Sequence, residues 1–320
     1  MPVKKILNKL NGLHYAQEYL CLATASLTQS LHVYLVKDQR IIKDITKHHL
    51  FIGYSPLVYA FSANEEMEAS IHLILSNRPF QQNEYFSKKD AIASLQLQQI
   101  KKEELIDDAV LYYEGVSGVH HFLSAFHQFI NGLNNQWFNK KPGNVFLPND
   151  LYRQVQIAYS VPRNISLITI SNKDLFNLFP TDLHGQIDED HYIISLRVGG
   201  KACEQVEAAG KVLISQVDRD AHKTVYALGK NHMQELKTKE DFPFSESYSE
   251  NLKWPVPQNA IAYRELSLVN SFIHGIHKIM LFRIISQQQL TSSGVALAHI
   301  HNSYASWRHK MKLPGNYLLH

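Results

Sequence analysis

The chain has 320 residues, of which 45% are apolar and 19% charged, with a formal net charge of +3. These values suit one large or two medium globular domains and exclude a disordered, collagenous or repeat-built chain. Basic residues come in scattered pairs such as Lys88-Lys89 and Lys140-Lys141 rather than as a stripe, so nucleic acid is not expected as a partner. The opening Met1 to Leu7 lacks the apolar core and cleavage site of a secretory signal, and no apolar run approaches the roughly 20 residues of a membrane helix. A cytoplasmic protein with no membrane partner is therefore expected. Two cysteines, Cys21 and Cys203, are too few for a disulfide framework. Of the 18 histidines, His299 and His301 are spaced to share a strand face, but no third ligand stands nearby, and no metal site is expected.

Taken in order, Lys4 to Gln17 has apolar residues at helical spacing. Strands are expected over Leu31–Val36, Arg40–Ile45, Leu50–Phe61, Ala69–Leu75, Ala91–Gln98 and Ala109–Tyr113. Val119 to Phe138 then reads as an amphipathic helix. The breaker clusters Lys140 to Asn144 and Pro148-Asn149-Asp150 place a domain boundary near residue 145, giving domains 1–145 and 146–320. In the second domain, strand Ile165–Ile170 and a polar turn lead to an extended segment, Leu175 to Leu183. Strand Tyr192–Val198, Gly199-Gly200 and helix Lys201 to Ala209 follow, stopped by Gly210. Strand Val212–Val217 enters a long polar stretch, Asp218 to Pro257, before two more strands, Ile261–Val269 and Lys278–Ile285. Short strands with Gly-marked turns and few helices predict a mainly β, α+β fold of barrel type. Asp90-Ala91-Ile92-Ala93 recurs as Asn259-Ala260-Ile261-Ala262, each opening a strand, which leaves room for a degenerate second barrel in the first half.

Two segments carry chemistry. In Ser195-Leu196-Arg197-Val198-Gly199-Gly200-Lys201, alternation puts Ser195 and Arg197 on one strand face, the glycines turn the backbone, and a helix N-terminus follows. Arginine, glycine backbone, lysine and helix dipole together suit a phosphate. Ser195 and Ala202 stand where a nucleotide P-loop needs Gly and Ser or Thr, and no G-x-G-x-x-G is present. The second segment, Asn177 to Gly185, is an irregular polar run around Pro180 with backbone groups free for a ligand. Cys203 sits among small apolar residues and reads as packing.

Val161-Pro162-Arg163-Asn164, the Asn-x-x-Pro-Thr segment, Gly-Gly-Lys with its helix, and the His274-Gly275-Ile276-His277-Lys278 turn occur in the order found in flavin reductase-like FMN-binding domains. The second half thus resembles that family over about 150 residues. The resemblance implies a split β-barrel, FMN as cofactor, NADH or NADPH as reductant, and a homodimer. It assigns Arg197, Gly199, Gly200 and Lys201 to the phosphate, and Asn177, Thr181, Asp182 and Leu183 to the flavin ring. Thr169 and Ser171 would lie near the ribityl chain, and His277 on the nicotinamide side, as the catalytic candidate. Asn164, Ala202-Cys203 and Ile276 depart from the family pattern. An electron carrier or sensor that holds FMN without rapid turnover, and a flavin-less split-barrel module, therefore stay open beside the reductase.

Overall fold

A computed structural model of the chain describes residues 13–27, 31–62, 67–105, 108–138, 140, 145–315 and 317–320. The chain divides into two compact units, one of Met1–Leu20, Leu27–Val161 and Ile300–Asn316, the other of Cys21–Ser26, Pro162–His299 and Tyr317–His320. The division in mid-chain falls at Val161 rather than near 145. Pro148 does not break structure but caps a helix, its fixed φ suiting that position.

The first unit is a seven-stranded antiparallel sheet. Its strands are β1 (His32–Lys37), β2 (Arg40–Asp44), β3 (Leu50–Tyr54), β4 (Leu57–Ser62), β5 (Ser70–Ser76), β6 (Ala93–Glu104) and β7 (Ala109–His120). The order across the sheet is β2-β1-β5-β6-β7-β4-β3. The expected strand Leu50–Phe61 is instead the β3–β4 hairpin, because Pro56 cannot donate to a ladder and takes the turn. The expected helix starting at Val119 begins later, as α1 (Ala125–Phe138), since Val119 and His120 complete β7. A helix that went unexpected, α2 (Asn149–Ala158), lies against β7. Gly115 and Gly118 permit this: a Cβ on Gly118 would come within 3.2 Å of the Gln154 backbone. The expected N-terminal helix, Lys4 to Gln17, lies mostly outside the described residues, and 13–17 are irregular.

The second unit is also a seven-stranded antiparallel sheet. It comprises β8 (Ser166–Asn172), β9 (Leu175–Thr181), β10 (His184–Gln186), β11 (His191–Arg197), β12 (Lys211–Val217), β13 (Ala260–His274) and β14 (His277–Gln289). The order is β9-β8-β12-β13-β14-β11-β10. Counted within each unit, both sheets run second, first, fifth, sixth, seventh, fourth, third. The short sequence repeat falls at the start of the sixth strand in each, its last residue opening that strand at Ala93 and lying two residues into it at Ala262.

Helix α3 (Lys201–Ala209) links β11 to β12 and lays Ala202, Cys203 and Val206 on a core of Ile168, Phe179, Ile194, Leu196, Met280 and Phe282. Gly210 ends it with φ of 61°, the left-handed conformation expected of a helix-stopping glycine. The corresponding link in the first unit, residues 63–69, is too short for a nine-residue helix. The stretch Asp218 to Pro257 is not simply polar loop. It holds α4 (His222–Leu228), short 3-10 turns and two small strands, Phe244–Tyr248 and Pro255–Pro257, and it covers one sheet face.

Glu265 fastens that cover. Its side chain is buried at 0% exposure and accepts from the amides of Asn251 (2.9 Å) and Leu252 (2.7 Å), from Asn251 Nδ2 (2.7 Å) and from Ser286 Oγ (2.5 Å). Burial alone would raise its pKa, but these donors outweigh it and hold the carboxyl below its ordinary value. Glu265→Leu leaves several buried N–H groups without an acceptor and is expected to cost about 2 to 4 kcal/mol, read as a lowered urea midpoint.

Candidate functional site

Strand β11 ends on an exposed Arg197, and Gly199 then turns the chain with φ of 79°. A Cβ there would meet open space, so only the backbone conformation demands glycine. Gly200 takes the N-cap of α3 and offers no side chain to its orphan amides. Cys203 and Glu204 already donate to Gly200 O, so of the first-turn amides of α3 those of Lys201 and Ala202 are left to face a ligand. Lys201 lies beside them, ion-paired with Glu235 at 2.7 Å in an exposed position. A phosphate fits this cradle by charge, dipole and open backbone. Cys203 is buried in the core, where burial raises its thiol pKa, in keeping with packing.

The turn is tied to the predicted ring segment by His232, which sequence reasoning missed. Its Nε2 donates to Pro180 O at 2.8 Å, its ring stands 4.8 Å from Phe179, and its backbone oxygen lies 3.6 Å from where a Gly200 Cβ would be. Burial lowers its pKa.

The remaining predicted residues fall into different settings. Leu183 is buried, its carbonyl accepting from Ser195 N, and Thr181 Oγ1 accepts from Leu183 N at 3.4 Å. The Asn177 amide is wholly engaged inside the protein. It donates to Gln205 Oε1 (2.7 Å) and Asn231 O (3.1 Å) and accepts from Leu178 N (2.8 Å), so it joins β9 to α3 and not to a ligand. Thr169 is fully buried on the face covered by Pro255–Pro257, its Oγ1 without a partner among the described residues. Ser171 closes the β8–β9 turn by donating to Lys173 O. Neither Thr169 nor Ser171 shares the open surface of the glycine turn.

His277 stands directly opposite Arg197 in the β11–β14 ladder. At 1% exposure, however, it is a core group, 3.3 Å from Ser195 Oγ. Burial, then the nearby Arg197 charge, pushes its pKa down to about 4. Near pH 7 this favours the neutral imidazole. His184 is half-buried, and desolvation pushes its pKa down to about 4; it accepts from Tyr192 O–H and donates to Asn164 O.

Asp182 joins a chain that the sequence hides, because its members lie far apart in number. His299 Nδ1 donates to Asp182 Oδ2 at 2.7 Å, and Tyr226 O–H donates to His299 Nε2 at 2.7 Å. Tyr226 also bonds Cys21, whose thiol burial pushes up to about 11. His301 does not join His299; it caps the helix Asn302–Lys310 by accepting from Ser303 N.

No protein-family model matches this sequence, and no curated protein matches it either. Solved structures that resemble the chain include flavin reductases and FMN-binding proteins. An NADH:FAD oxidoreductase of Streptomyces globisporus is 12% identical, with a TM-score of 0.42 over 51% of this chain and 95% of its own. An FMN-binding protein from Thermus thermophilus is 15% identical, with a TM-score of 0.39 over 44% of this chain and 87% of its own. The styrene monooxygenase flavin reductase of Pseudomonas putida S12 is 14% identical, with a TM-score of 0.38 over 45% and 90%. Among the described residues, no helix is long and apolar enough to cross a membrane.

His277 and His184 set a pH dependence. With folded pKa values below the unfolded value of about 6.5, the unfolded chain binds more protons as pH falls, so stability is full above that pH and drains towards pH 4. His277→Gln should flatten this slope by up to about 3 kcal/mol, measured as urea-unfolding free energy across the window.

Proposed function

We propose that the chain is a flavin-binding oxidoreductase that holds FMN on its second unit. The observation that carries this is the Arg197–Gly199–Gly200 turn into the uncapped start of α3, beside the Pro180-Thr181 segment that His232 fastens to it. Arg197, Lys201 and the glycine and first-turn amides hold the phosphate; Thr181, Asp182 and Leu183 stand at the ring. Bound flavin would supply the atom that accepts hydride from NADH or NADPH. Asn177 acts by holding β9 against α3 and thereby shaping the ring segment. His277, neutral and buried, fixes the strand pairing below Arg197 rather than moving a proton. The group that holds a proton at an accessible atom is Tyr226, through His299 and Asp182.

On the same reading, the first unit is a degenerate second split barrel. It shares the strand order and the repeat at the sixth strand, and its fourth-to-fifth link, residues 63–69, has no glycine and is too short for a nine-residue helix. One flavin per chain is the consequence.

The burial of His277 favours one further reading, a flavin carrier or sensor without fast nicotinamide turnover. An absorbance spectrum of the protein loaded with FMN and desalted, before and after anaerobic NADH or NADPH, separates the two. Bleaching marks the reductase and a persistent band the carrier. Arg197→Glu reverses the charge at the phosphate and should weaken FMN retention by at least about a hundredfold, read by fluorescence titration; undiminished retention would sink the assignment. If bleaching is seen, Tyr226→Phe should slow it about tenfold and alter its pH profile while FMN affinity stays within about twofold.

A further inference from the structure

The shared strand order allows the two sheets to be compared position by position. Aligned on the repeat, Ala93 corresponds to Ala262, Ser94 to Tyr263 and Gln96 to Glu265. The cross-strand row through Gln96 is Val36, His72, Gln96, Ser117. The row through Glu265 is Thr169, Leu213, Glu265, Ser286. The correspondence reaches the side chains: Ser286 Oγ donates to Glu265 Oε2, and Ser117 Oγ donates to Gln96 Oε1 at 3.5 Å.

What covers these rows differs. In the second unit the fifth and sixth strands are joined by residues 218–259, whose Asn251 and Leu252 sit on Glu265 and whose Val256 packs on Leu213 and Tyr263. In the first unit the same link is only residues 77–92. Its Phe80, Phe86 and Ala91 cover Tyr34, Val36, Ile41 and Ile74, and reach no further. The rest of the face is an open pocket of about 520 Å³, to which His72, Lys88, Ser94, Gln96, Ser117 and His121 contribute.

We propose that this pocket of the first unit binds a phosphate-like oxyanion through Lys88, His72, His121, Ser94 and Gln96. Every one of these side chains can donate a hydrogen bond, and none is a carboxylate. Ser94 Oγ and His121 Nε2 are 3.1 Å apart and already bonded, which fixes the imidazole in the pocket. The other charged groups lining it are Lys37, Asp38 and Glu68, of which Lys37 and Glu68 neutralise each other as an ion pair at 2.5 Å. Partial burial lowers the His121 pKa, and so do the charges of Lys88 and His72. An anion placed among the three relieves that repulsion and draws protons onto the imidazoles, so binding tightens as pH falls through the imidazole range. The site is independent of flavin, since it lies in the first unit and the glycine turn in the second.

The test is calorimetric titration of the full chain with inorganic sulfate, whose charge is constant across the pH range used. Saturable binding is expected in the wild type, tightening between about pH 8 and about pH 6. Lys88→Glu, at an exposed position, should weaken it at least tenfold, as should His121→Gln, both read in an Arg197→Glu background that removes sulfate heat from the glycine turn and itself retains this site. Circular dichroism melts of the same variants establish that they are folded. Absence of saturable heat, or loss of binding in Arg197→Glu but not in Lys88→Glu, would overturn the proposal. A pH-independent affinity would remove the imidazoles from it.

Discussion

Each sheet is organised by the ladder between its sixth and seventh strands. In the second unit this is the hairpin of β13 and β14, paired from Ala262 and Gln289 to the turn at His274 and His277. The fifth, first and second strands attach along its β13 edge, and the fourth and third along β14. Because every neighbour is antiparallel, register passes from strand to strand by hydrogen bonds, and one hairpin fixes where every side chain of the sheet points. The Arg197–His277 pairing is a direct product of it: the turn of the central hairpin and the end of β11 must arrive at the same end of the sheet.

That arrangement divides labour between two residues paired at the same end of one ladder. His277 is enclosed and kept neutral, which costs nothing near pH 7 but makes the fold acid-sensitive. Arg197, one strand away, is exposed and leads directly into a glycine turn and a helix start. The proposed phosphate site is thus built from the termination of regular structure, where backbone amides fall free, while the paired His277 beside it is buried.

Comparison of the two units shows how different connection lengths are carried on a constant strand order. The fourth-to-fifth link holds a helix in one unit and has no room for it in the other. The fifth-to-sixth link blankets one sheet face and leaves the other half bare. Glu265 and Gln96 occupy equivalent positions. The carboxylate accepts the amides of an overlying loop, while the carboxamide, with no such loop, stays open. A buried carboxylate without those donors would be prohibitively costly, so the shorter loop and the neutral side chain belong together.

The sequence by itself determined the strand character, the Gly199-Gly200 turn, helix Lys201 to Ala209 with its Gly210 stop, and the repeat at the sixth strand. These are local properties, set by side-chain period and by the few residues that tolerate unusual backbone. The β3–β4 turn at Pro56 and the N-cap at Pro148 were equally local, but proline serves both as a stop and as a start, and the pattern alone did not choose. Only the tertiary structure decided which polar side chains are spent internally. Asn177 faces Gln205 and Asn231, Thr169 lies under Pro255–Pro257, and Asp182 meets His299 and Tyr226 across long separations in number. Those meetings depend on strand order and loop coverage, which arise from the packing of the whole sheet and leave no mark at any one position.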